Sequence, residues 1–209
     1  MDKIRRNERM SAMMKILAAK PNRIFTLSYF CDLFGSAKST MSEDIDILRD
    51  VVAHFGLGEL ETVTGAAGGV RYRTKVRRPE ARKFIGDLCQ QLSEEGRVLP
   101  GGFLYYSDIL STPEIVTRMG EIMATEYYAA APDFVLTMET KGIPVAFAAA
   151  HALGVPLVIA RRSSKVYEGS AVNINYVSGS SGHIETMSLS RRAVQELSLI
   201  HISEPTRPI

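Results

Sequence analysis

The stretch at residues 134–144, FVLTMETKGIP, constrains the fold more than any other part of this chain. It joins a continuous apolar run, typical of a parallel strand covered on both faces, to a polar turn and an alanine-rich run. Pro144 suits the first turn of a helix, where its missing N–H costs little. The pattern predicts a strand, a turn and a helix to about residue 153, which together form one unit of an α/β fold.

The turn within this stretch carries a lysine, Lys141, and two interpretations fit it. Backbone N–H groups at a helix start, together with a lysine charge, form an anion site at the C-terminal end of a strand. The same pattern also describes an ordinary strand-to-helix turn with a solvated lysine, which is common in α/β folds. The local sequence leaves both interpretations open.

The composition is that of a folded protein with one large or two small domains. Of the 209 residues, 45% are apolar, which is enough for a sizeable core. No apolar run approaches the roughly 20 residues that cross a bilayer, and the charged start MDKIRRNERM lacks the apolar segment of a secretory signal. Cys31 and Cys89 lie in separate helical patterns without a histidine at metal-ligand spacing. We therefore expect a cytoplasmic protein with free thiols, no metal site and no membrane partner.

The charge is distributed unevenly along the chain. Residues 1–80 contain 14 lysines and arginines against 10 acidic residues, whereas the remainder contains 11 against 13. The N-terminal part therefore has a net charge of +4 and the rest one of −2. This excess favours an anionic partner for the N-terminal part.

Three helices are predicted at the start of the chain. Apolar residues at helical spacing mark the first, at about residues 3–19. Thr26 is a suitable cap for the second, which would end at Gly35, and Ser36 for the third, at about residues 37–55. The third helix would bury the stripe Met41, Ile45, Leu48, Val51 and Val52. Two helices joined by a tight Gly-Ser turn are typical of a helix-turn-helix.

The start of the third helix, AKSTMSED, presents short polar side chains and a lysine. At the N-terminus of a recognition helix, such side chains reach base edges and phosphates in a major groove. A plain N-cap on a surface helix fits the same residues. Aspartates further along, at positions 44, 46 and 50, restrict the expected contact to the first turn. The candidate DNA-contact residues are Lys38, Ser39, Thr40 and Ser42.

Residues 60–76, LETVTGAAGGVRYRTKV, predict a hairpin around a glycine-rich turn. Its second strand carries Arg71, Arg73 and Lys75 at period two, which places three cations on one face. Three helices followed by a basic hairpin form a winged helix-turn-helix, whose wing lies along a phosphate backbone. The hairpin therefore favours DNA binding over a plain surface helix.

Three arginines of the first helix, Arg5, Arg6 and Arg9, fit a solvated face. A phosphate contact from one of them is the alternative, and Arg5 and Arg6 are the candidates for it.

Residues 77–100 are predicted to connect two domains. A proline at position 79 ends the hairpin, and a helix follows at about residues 80–95. Its apolar side chains would pack onto the larger domain; they are Phe84, Ile85, Leu88 and Leu92. A short strand is predicted at residues 103–106, and Thr112-Pro113 marks the start of a further helix.

Residues 101–194 resemble, nearly continuously, the effector domain of the purine operon repressors of Gram-positive bacteria. The resemblance is carried by GGFLYYSDIL at 101–110, TMETKGIPVAFAAA at 137–150, VPLVIARRSSKVYEGS at 155–170 and VNINYVSGSSGHIETMSLSRRAV at 172–194. Residues 1–76 resemble the DNA-binding module of the same family. The resemblance implies an α/β chain in which a winged helix-turn-helix precedes an incomplete type I phosphoribosyltransferase-like domain with a central, mostly parallel sheet.

The resemblance implies phosphoribosyl pyrophosphate as the effector, with or without magnesium, and no further cofactor. The pyrophosphate loop would be formed by Glu139, Thr140, Lys141 and Gly142. The other implied effector-binding residues are Tyr105, Arg161, Arg162, Lys165, Ser178, Gly179 and Ser180. Alternatives remain for three of these groups: Tyr105 also fits a buried aromatic, the basic cluster at 161–165 a solvated charge run, and residues 178–182 a simple hairpin turn.

The family's domain continues beyond residue 194 into an apolar strand with two acidic residues and a Gly-Thr loop. This chain instead has ELSLIHISEPTRPI at residues 196–209, which fits neither the family nor a strand. We expect residues 197–209 to be a non-native tail, and the chain as written to bind its effector poorly. The predicted organisation is residues 1–76 for DNA binding, 77–100 as the connection, 101–196 for effector binding and 197–209 as the tail.

The function predicted from this resemblance is repression of purine biosynthesis genes, with release from operator DNA by phosphoribosyl pyrophosphate. A homodimer without catalytic residues is what the family implies. The alternative is an enzyme, a purine phosphoribosyltransferase with an added N-terminal domain. A third possibility is that the second domain serves only as a dimerisation scaffold.

Overall fold

A computed structural model describes residues 4–65, 68–163, 169–177 and 182–193, and the backbone of residues 200–202. The chain forms two compact units: Met1–Glu95 with His151–Gly154, and Gly96–Ala150 with Val155–Ile209. None of the described helices is both long and apolar enough to cross a membrane.

In its described residues, the first unit is built around four helices and a hairpin. Its elements are α1 (Arg6–Ala18), α2 (Leu27–Phe34), α3 (Lys38–Phe55), β1 (Glu59–Val63), β2 (Gly69–Arg73) and α4 (Arg78–Leu92). One apolar cluster joins the first three helices to the hairpin, and it includes Met13, Leu17, Phe30, Met41, Val52, Leu60 and Val70. The three helices and the hairpin therefore lie where the sequence periodicity predicts them.

The ends of α2 are as predicted, whereas the start of α3 is not. The Thr26 hydroxyl accepts a hydrogen bond of 3.2 Å from the Tyr29 N–H, and Gly35 ends the helix at a φ of +59°. The prediction that Ser36 caps α3 is wrong, because Ala37 occupies the cap position. The Ser36 hydroxyl instead donates to the carbonyl oxygen of Phe34 at 3.3 Å, at the last residue of α2.

The buried face of α3 differs from the predicted stripe at two positions. Val51 is 40% exposed, while Asp44 is fully buried. Position 44 shares a helix face with Met41 and Leu48, three and four residues away, so the carboxylate points into the core. The other four predicted core residues, Met41, Ile45, Leu48 and Val52, are buried.

The hairpin is antiparallel, and a further bridge to Phe25 extends it. Glu61 lies opposite Arg71, and Glu59 opposite Arg73. Phe25 and Val70 exchange two backbone hydrogen bonds of 2.9 Å. A Cβ at Gly69 would lie 2.2 Å from the carbonyl oxygen of Phe25, so this approach of the two backbones requires glycine.

Helix α4 buries none of its residues. Phe84, Leu88 and Leu92 are half-buried, and Ile85 is 48% exposed. The packing of this stripe on the larger domain stays a prediction, and the helix itself lies close to its predicted position.

The second unit is an α/β arrangement. Its helices and strands include β3 (Val98–Leu99), β4 (Phe103–Leu104), α5 (Ser107–Leu110), α6 (Pro113–Tyr127), β5 (Phe134–Met138), α7 (Ile143–Leu153), β6 (Leu157–Ala160), β7 (Ala171–Val177), β8 (Ile184–Ser190) and β9 (Ile200–Ile202); the last turn of α7 falls in the first unit. The predicted strand at 103–106 is shorter than expected, because Tyr105 and Tyr106 lie outside the β3–β4 pair.

The central sheet of this unit is parallel and has the order β6-β5-β9. Phe134, Val135 and Val158 are buried in it. Helix α6 packs closely on α7 at Gly120, which has no side chain. A Cβ at this position would lie 2.5 Å from the Cβ of Ala148. These contacts fix the strand–turn–helix unit that carries Lys141.

The tail contributes the third strand of this sheet. Ile200–Ile202 pairs in parallel with residues 134–136 of β5. The expectation that the tail fits no strand is thus wrong at these three residues.

Candidate functional site

A buried ion cluster joins α1 to α3 in the first unit. The carboxylate of Asp44 accepts hydrogen bonds from Nε of Arg9 at 2.6 Å and from Nε of Arg6 at 2.8 Å. The Arg9 side chain is only 8% exposed, so a solvated face is the wrong interpretation for this residue. Arg6 is half exposed and lies 3.5 Å from Glu43 as well. Burial of a carboxylate requires such partners.

The start of α3 is accessible, as DNA contact requires. Lys38, Ser39 and Ser42 are exposed and Thr40 is half-buried. Lys38 and Ser42 lie on the wall of a cavity of about 520 Å³ that the hairpin closes on its other side. Ser28, Arg49 and Thr64 also line this cavity. The structure therefore brings the predicted helix start and the predicted wing to one groove.

Arg49 connects α3 to the hairpin, a role that the sequence did not reveal. Its Nε donates to the carbonyl oxygen of Leu60 at 3.2 Å, and its Nη2 donates to Oγ1 of Thr62 at 2.7 Å. Its Nη1 also donates to the carboxylate of Asp46 on the same helix. One guanidinium thus fixes the hairpin against the helix and neutralises an exposed acid beside the groove.

The three predicted hairpin cations are paired with glutamates. Arg71 donates to Glu61 at 3.0 Å, and Lys75 donates to Glu59 at 3.0 Å. Arg73 lies 3.8 Å from Glu61 and 3.9 Å from Glu59. Three cations and two carboxylates leave this face with a charge of +1, lower than Arg71, Arg73 and Lys75 alone suggest. The sequence carried part of this signal, because Glu59 and Glu61 also alternate at period two, but the register that sets them opposite the cations does not follow from that pattern.

Arg5, the other arginine proposed to contact DNA, is exposed at the start of α1. Its backbone N–H donates to the Glu8 carboxylate at 2.9 Å, which satisfies a backbone donor at the helix start.

In the second unit the predicted pyrophosphate loop follows β5 directly. Thr140, Lys141 and Gly142 are exposed, and the peptide bond between Glu139 and Thr140 is cis. A Cβ at Gly142 would lie 2.6 Å from Oγ1 of Thr137, so a larger residue would displace the turn. The turn thus exposes backbone groups and a lysine side chain to solvent. It lies at the C-terminal end of a parallel strand, where α/β folds bind ligands.

Glu139 connects this turn to the two arginines after β6. Its carboxylate accepts from the backbone N–H of Arg162 at 2.7 Å and from Nη1 of Arg161 at 3.4 Å. The β5–β6 register places Met138 opposite Ala160, so the segments after both strands start at the same edge. Four predicted effector residues, Glu139, Lys141, Arg161 and Arg162, therefore share one edge of the sheet.

Lys141 contacts a neighbouring segment that the sequence did not indicate. Its Nζ lies 4.4 Å from the ring centroid of Tyr106 and 3.4 Å from Oγ of Ser107. Tyr105, the predicted effector residue, is 44% exposed, which excludes the alternative of a buried aromatic. The tyrosine that meets the lysine is thus the neighbour of the predicted one.

Arg97 holds this segment. It donates to both carboxylate oxygens of Asp108, at 2.9 and 2.8 Å, and to the carbonyl oxygen of Tyr105 at 3.1 Å. The hydrogen bond from Arg97 holds the pKa of Asp108 below its ordinary value. In the β7–β8 hairpin, a hydrogen bond to the Glu185 carboxylate raises the pKa of Tyr176.

The remaining predicted effector residues, Lys165, Ser178, Gly179 and Ser180, lie outside the described residues. Among the described residues, no group of three or more His, Cys, Asp and Glu side chains is placed to hold a metal ion.

The first unit thus combines an accessible third helix with a hairpin, and the second is an α/β unit with a lysine-bearing turn. Residues 5–74 match the family described as the N-terminal domain of the bacterial purine repressor. The chain is 44% identical to the purine biosynthesis transcriptional repressor PurR of Bacillus subtilis, over 92% of this chain and 68% of that protein.

This chain therefore belongs to the PurR family of purine biosynthesis transcriptional regulators. It is also 40% identical to the purine biosynthesis transcriptional activator PurR of Lactococcus lactis, over 91% of this chain and 70% of that protein. A third similarity is to the xanthine phosphoribosyltransferase of Geobacillus thermodenitrificans, with 38% identity over 36% of this chain and 41% of that enzyme.

Proposed function

We propose that this protein represses purine biosynthesis genes by binding their operator DNA through its first unit. Phosphoribosyl pyrophosphate bound to the second unit releases it. The observation that carries the DNA half is the groove between α3 and the hairpin, because Lys38 and Ser42 line it together with Arg49. We infer a winged helix-turn-helix in which the start of α3 reads the major groove and the hairpin follows the backbone.

The low net charge of the hairpin suits a role in positioning the protein on DNA better than a role in binding phosphates tightly. Because Glu59 and Glu61 balance two of its three cations, the wing adds one net positive charge to the interface. Phosphate contacts contribute affinity in proportion to the charge that they neutralise. We therefore assign most of the phosphate attraction to Lys38 and Arg5, which are exposed, and a guiding role to the wing.

Repression, rather than activation, is the direction that we propose. The B. subtilis relative is named a repressor and the L. lactis relative an activator, at similar identity to this chain. A DNA-binding unit alone does not determine the sign of regulation, because the position of the bound site relative to a promoter also contributes. The somewhat higher identity to the repressor supports repression.

The proposal that the second unit binds phosphoribosyl pyrophosphate rests on the edge of the sheet at the end of β5. Lys141, Arg161 and Arg162 bring positive charge to a turn with exposed backbone, which suits a diphosphate on a sugar phosphate. Release of DNA requires that the effector binds the DNA-free form better than the DNA-bound form. We also propose a cytoplasmic homodimer, as the family implies, and magnesium as an optional partner of the effector.

The second candidate function is catalysis, which the similarity to a xanthine phosphoribosyltransferase favours. We propose that the chain is not an enzyme, because its similarity to regulators extends over about 92% of its length and that to the enzyme over 36%. Incubation with phosphoribosyl pyrophosphate and xanthine, guanine, hypoxanthine or adenine should yield no nucleotide. Turnover of any of the four bases would contradict this assignment.

A fluorescence anisotropy titration tests the proposed function. A labelled purine-operon control fragment is titrated with the full chain at stated salt, beside a scrambled fragment of equal length. We expect tighter binding to the control fragment and weaker binding at higher salt. We also expect weaker binding with phosphoribosyl pyrophosphate, at effector concentrations high enough to offset the poor effector binding expected of this chain. Equal affinity for both fragments would overturn the operator assignment, and specific binding that ignores the effector would overturn the effector assignment.

A further inference from the structure

Two residues of a neighbouring segment, Tyr106 and Ser107, hold the side chain of Lys141. The ammonium lies 4.4 Å from the centroid of the Tyr106 ring, within the range of a cation–π interaction. It also donates a hydrogen bond of 3.4 Å to Oγ of Ser107. A lysine side chain otherwise samples many rotamers, so these contacts restrict its charge to one position above the turn.

The segment that carries these two residues is itself anchored at both ends. On one side, the backbone N–H of Tyr105 donates to the carbonyl oxygen of Arg97 at 2.8 Å. On the other, the Arg97 guanidinium forms a bidentate pair with Asp108, at 2.9 and 2.8 Å. Such a pair fixes geometry as well as adding energy. Because Tyr106 and Ser107 lie between these anchors, the ring and the hydroxyl meet Lys141 from a fixed position.

The nearby carboxylate of the turn has other partners. Glu139 accepts from the Arg162 backbone at 2.7 Å and from Arg161 at 3.4 Å. Among the described residues, Lys141 contacts an aromatic ring and a hydroxyl rather than a carboxylate, and Ser107 takes only one of its three donors.

We propose that Tyr106 and Ser107 are positioning residues of the effector site, which hold the Lys141 ammonium where the diphosphate of the effector binds. The inference rests on the proposed function and adds two residues to it. A lysine that is already ordered loses less conformational freedom when it binds an anion, so the held lysine raises the affinity. The ring is the essential part of Tyr106, and its hydroxyl is not.

Calorimetric titration of the full chain with phosphoribosyl pyrophosphate tests the inference in Tyr106→Phe, Tyr106→Leu and Ser107→Ala. Phe keeps the ring and should bind as the wild type does, whereas Leu should bind about two- to fivefold more weakly. Phe147→Leu is the matched control, because it removes a ring that is 63% exposed on α7 of the same unit. Its affinity should equal that of the wild type.

The reactivity of Lys141 provides a second readout that a purely structural role would leave unchanged. Brief acetylation followed by mass spectrometry gives the rate at Lys141 relative to Lys83, an exposed lysine of α4. Tyr106→Leu should raise this relative rate in an otherwise folded protein, and inorganic pyrophosphate should lower it in the wild type. An unchanged rate in Tyr106→Leu would overturn the inference.

The outcomes separate this inference from the proposed function. If the wild type binds phosphoribosyl pyrophosphate and Tyr106→Leu binds it equally well, the positioning role is wrong and the effector assignment stands. If the wild type does not bind it even at effector concentrations that detect the weak binding expected of this chain, the effector assignment is wrong and the positioning role fails with it.

Discussion

The carboxylate of Asp44 on α3 is fully buried and accepts a hydrogen bond of 2.6 Å from Nε of Arg9 on α1. Arg6 provides a second bond at 2.8 Å. The helix that we propose to read DNA is therefore oriented by an ion cluster in the core, as well as by its apolar stripe. Removal of one partner from such a cluster leaves an uncompensated charge, which costs more than the pair itself contributes.

Asp44→Asn should lower the free energy of unfolding of the first unit by about 3–5 kcal/mol, because two arginines then face a neutral amide. Urea unfolding followed by circular dichroism measures the change. Asp50→Asn, on the exposed part of the same helix, should change it by less than about 0.5 kcal/mol. Equal effects of the two substitutions would show that the buried cluster does not hold the helix.

Arg49→Met should weaken operator binding by about tenfold, because the hairpin loses its hydrogen bonds from α3 to Leu60 and Thr62. The dependence of affinity on salt should stay nearly the same, since Arg49 acts through the hairpin and not on a phosphate. Anisotropy titrations at several salt concentrations measure both quantities.

Lys38→Ala is the comparison for that experiment. If Lys38 contacts a phosphate, the slope of log affinity against log salt should fall by about 0.9. A similar fall in slope for Arg49→Met would mean that Arg49 touches the backbone directly and would contradict the positioning role.

The pair between Arg97 and Asp108 should make the stability of the second unit depend on pH at the acid end. The folded-state pKa of Asp108 is lowered from its ordinary value of 3.8, so the pair stabilises the fold above that pH. The stabilisation is lost as the pH falls through the lowered pKa, because the carboxyl is then protonated in both states. The unfolding midpoint of the wild type should therefore approach that of Asp108→Asn below about pH 4. A constant difference between the two proteins from pH 7 to pH 3 would contradict this account.

Local rules predict most of the helices in this chain, because capping and periodicity act within a few residues. Thr26 and Gly35 end α2 as expected, and Pro113 starts α6. Such rules failed where a polar side chain finds a distant partner. Asp44 occupies an apolar position of α3 only because Arg9 meets it from 35 residues away.

In the candidate sites, too, sequence patterns did not predict contacts between distant segments. Periodicity placed Arg71 and Arg73 on one face of the hairpin, but the pairing register determines that glutamates lie opposite them. Similarly, neither the strand pattern nor the family resemblance indicates that Tyr106, next to Tyr105, meets Lys141. Cross-strand and cross-loop contacts depend on register and loop path, which the alternation of residue types does not specify.

The most direct test of the account is release of operator DNA by phosphoribosyl pyrophosphate in the wild type and in Lys141→Ala. The effector is titrated into a preformed complex with a labelled operator fragment, and Lys83→Ala serves as the matched lysine control. We predict that Lys141→Ala keeps operator affinity within about twofold and needs at least about tenfold more effector for release, because a charge-assisted contact to the diphosphate is lost. Release at the same effector concentration in the wild type and in Lys141→Ala would contradict the account.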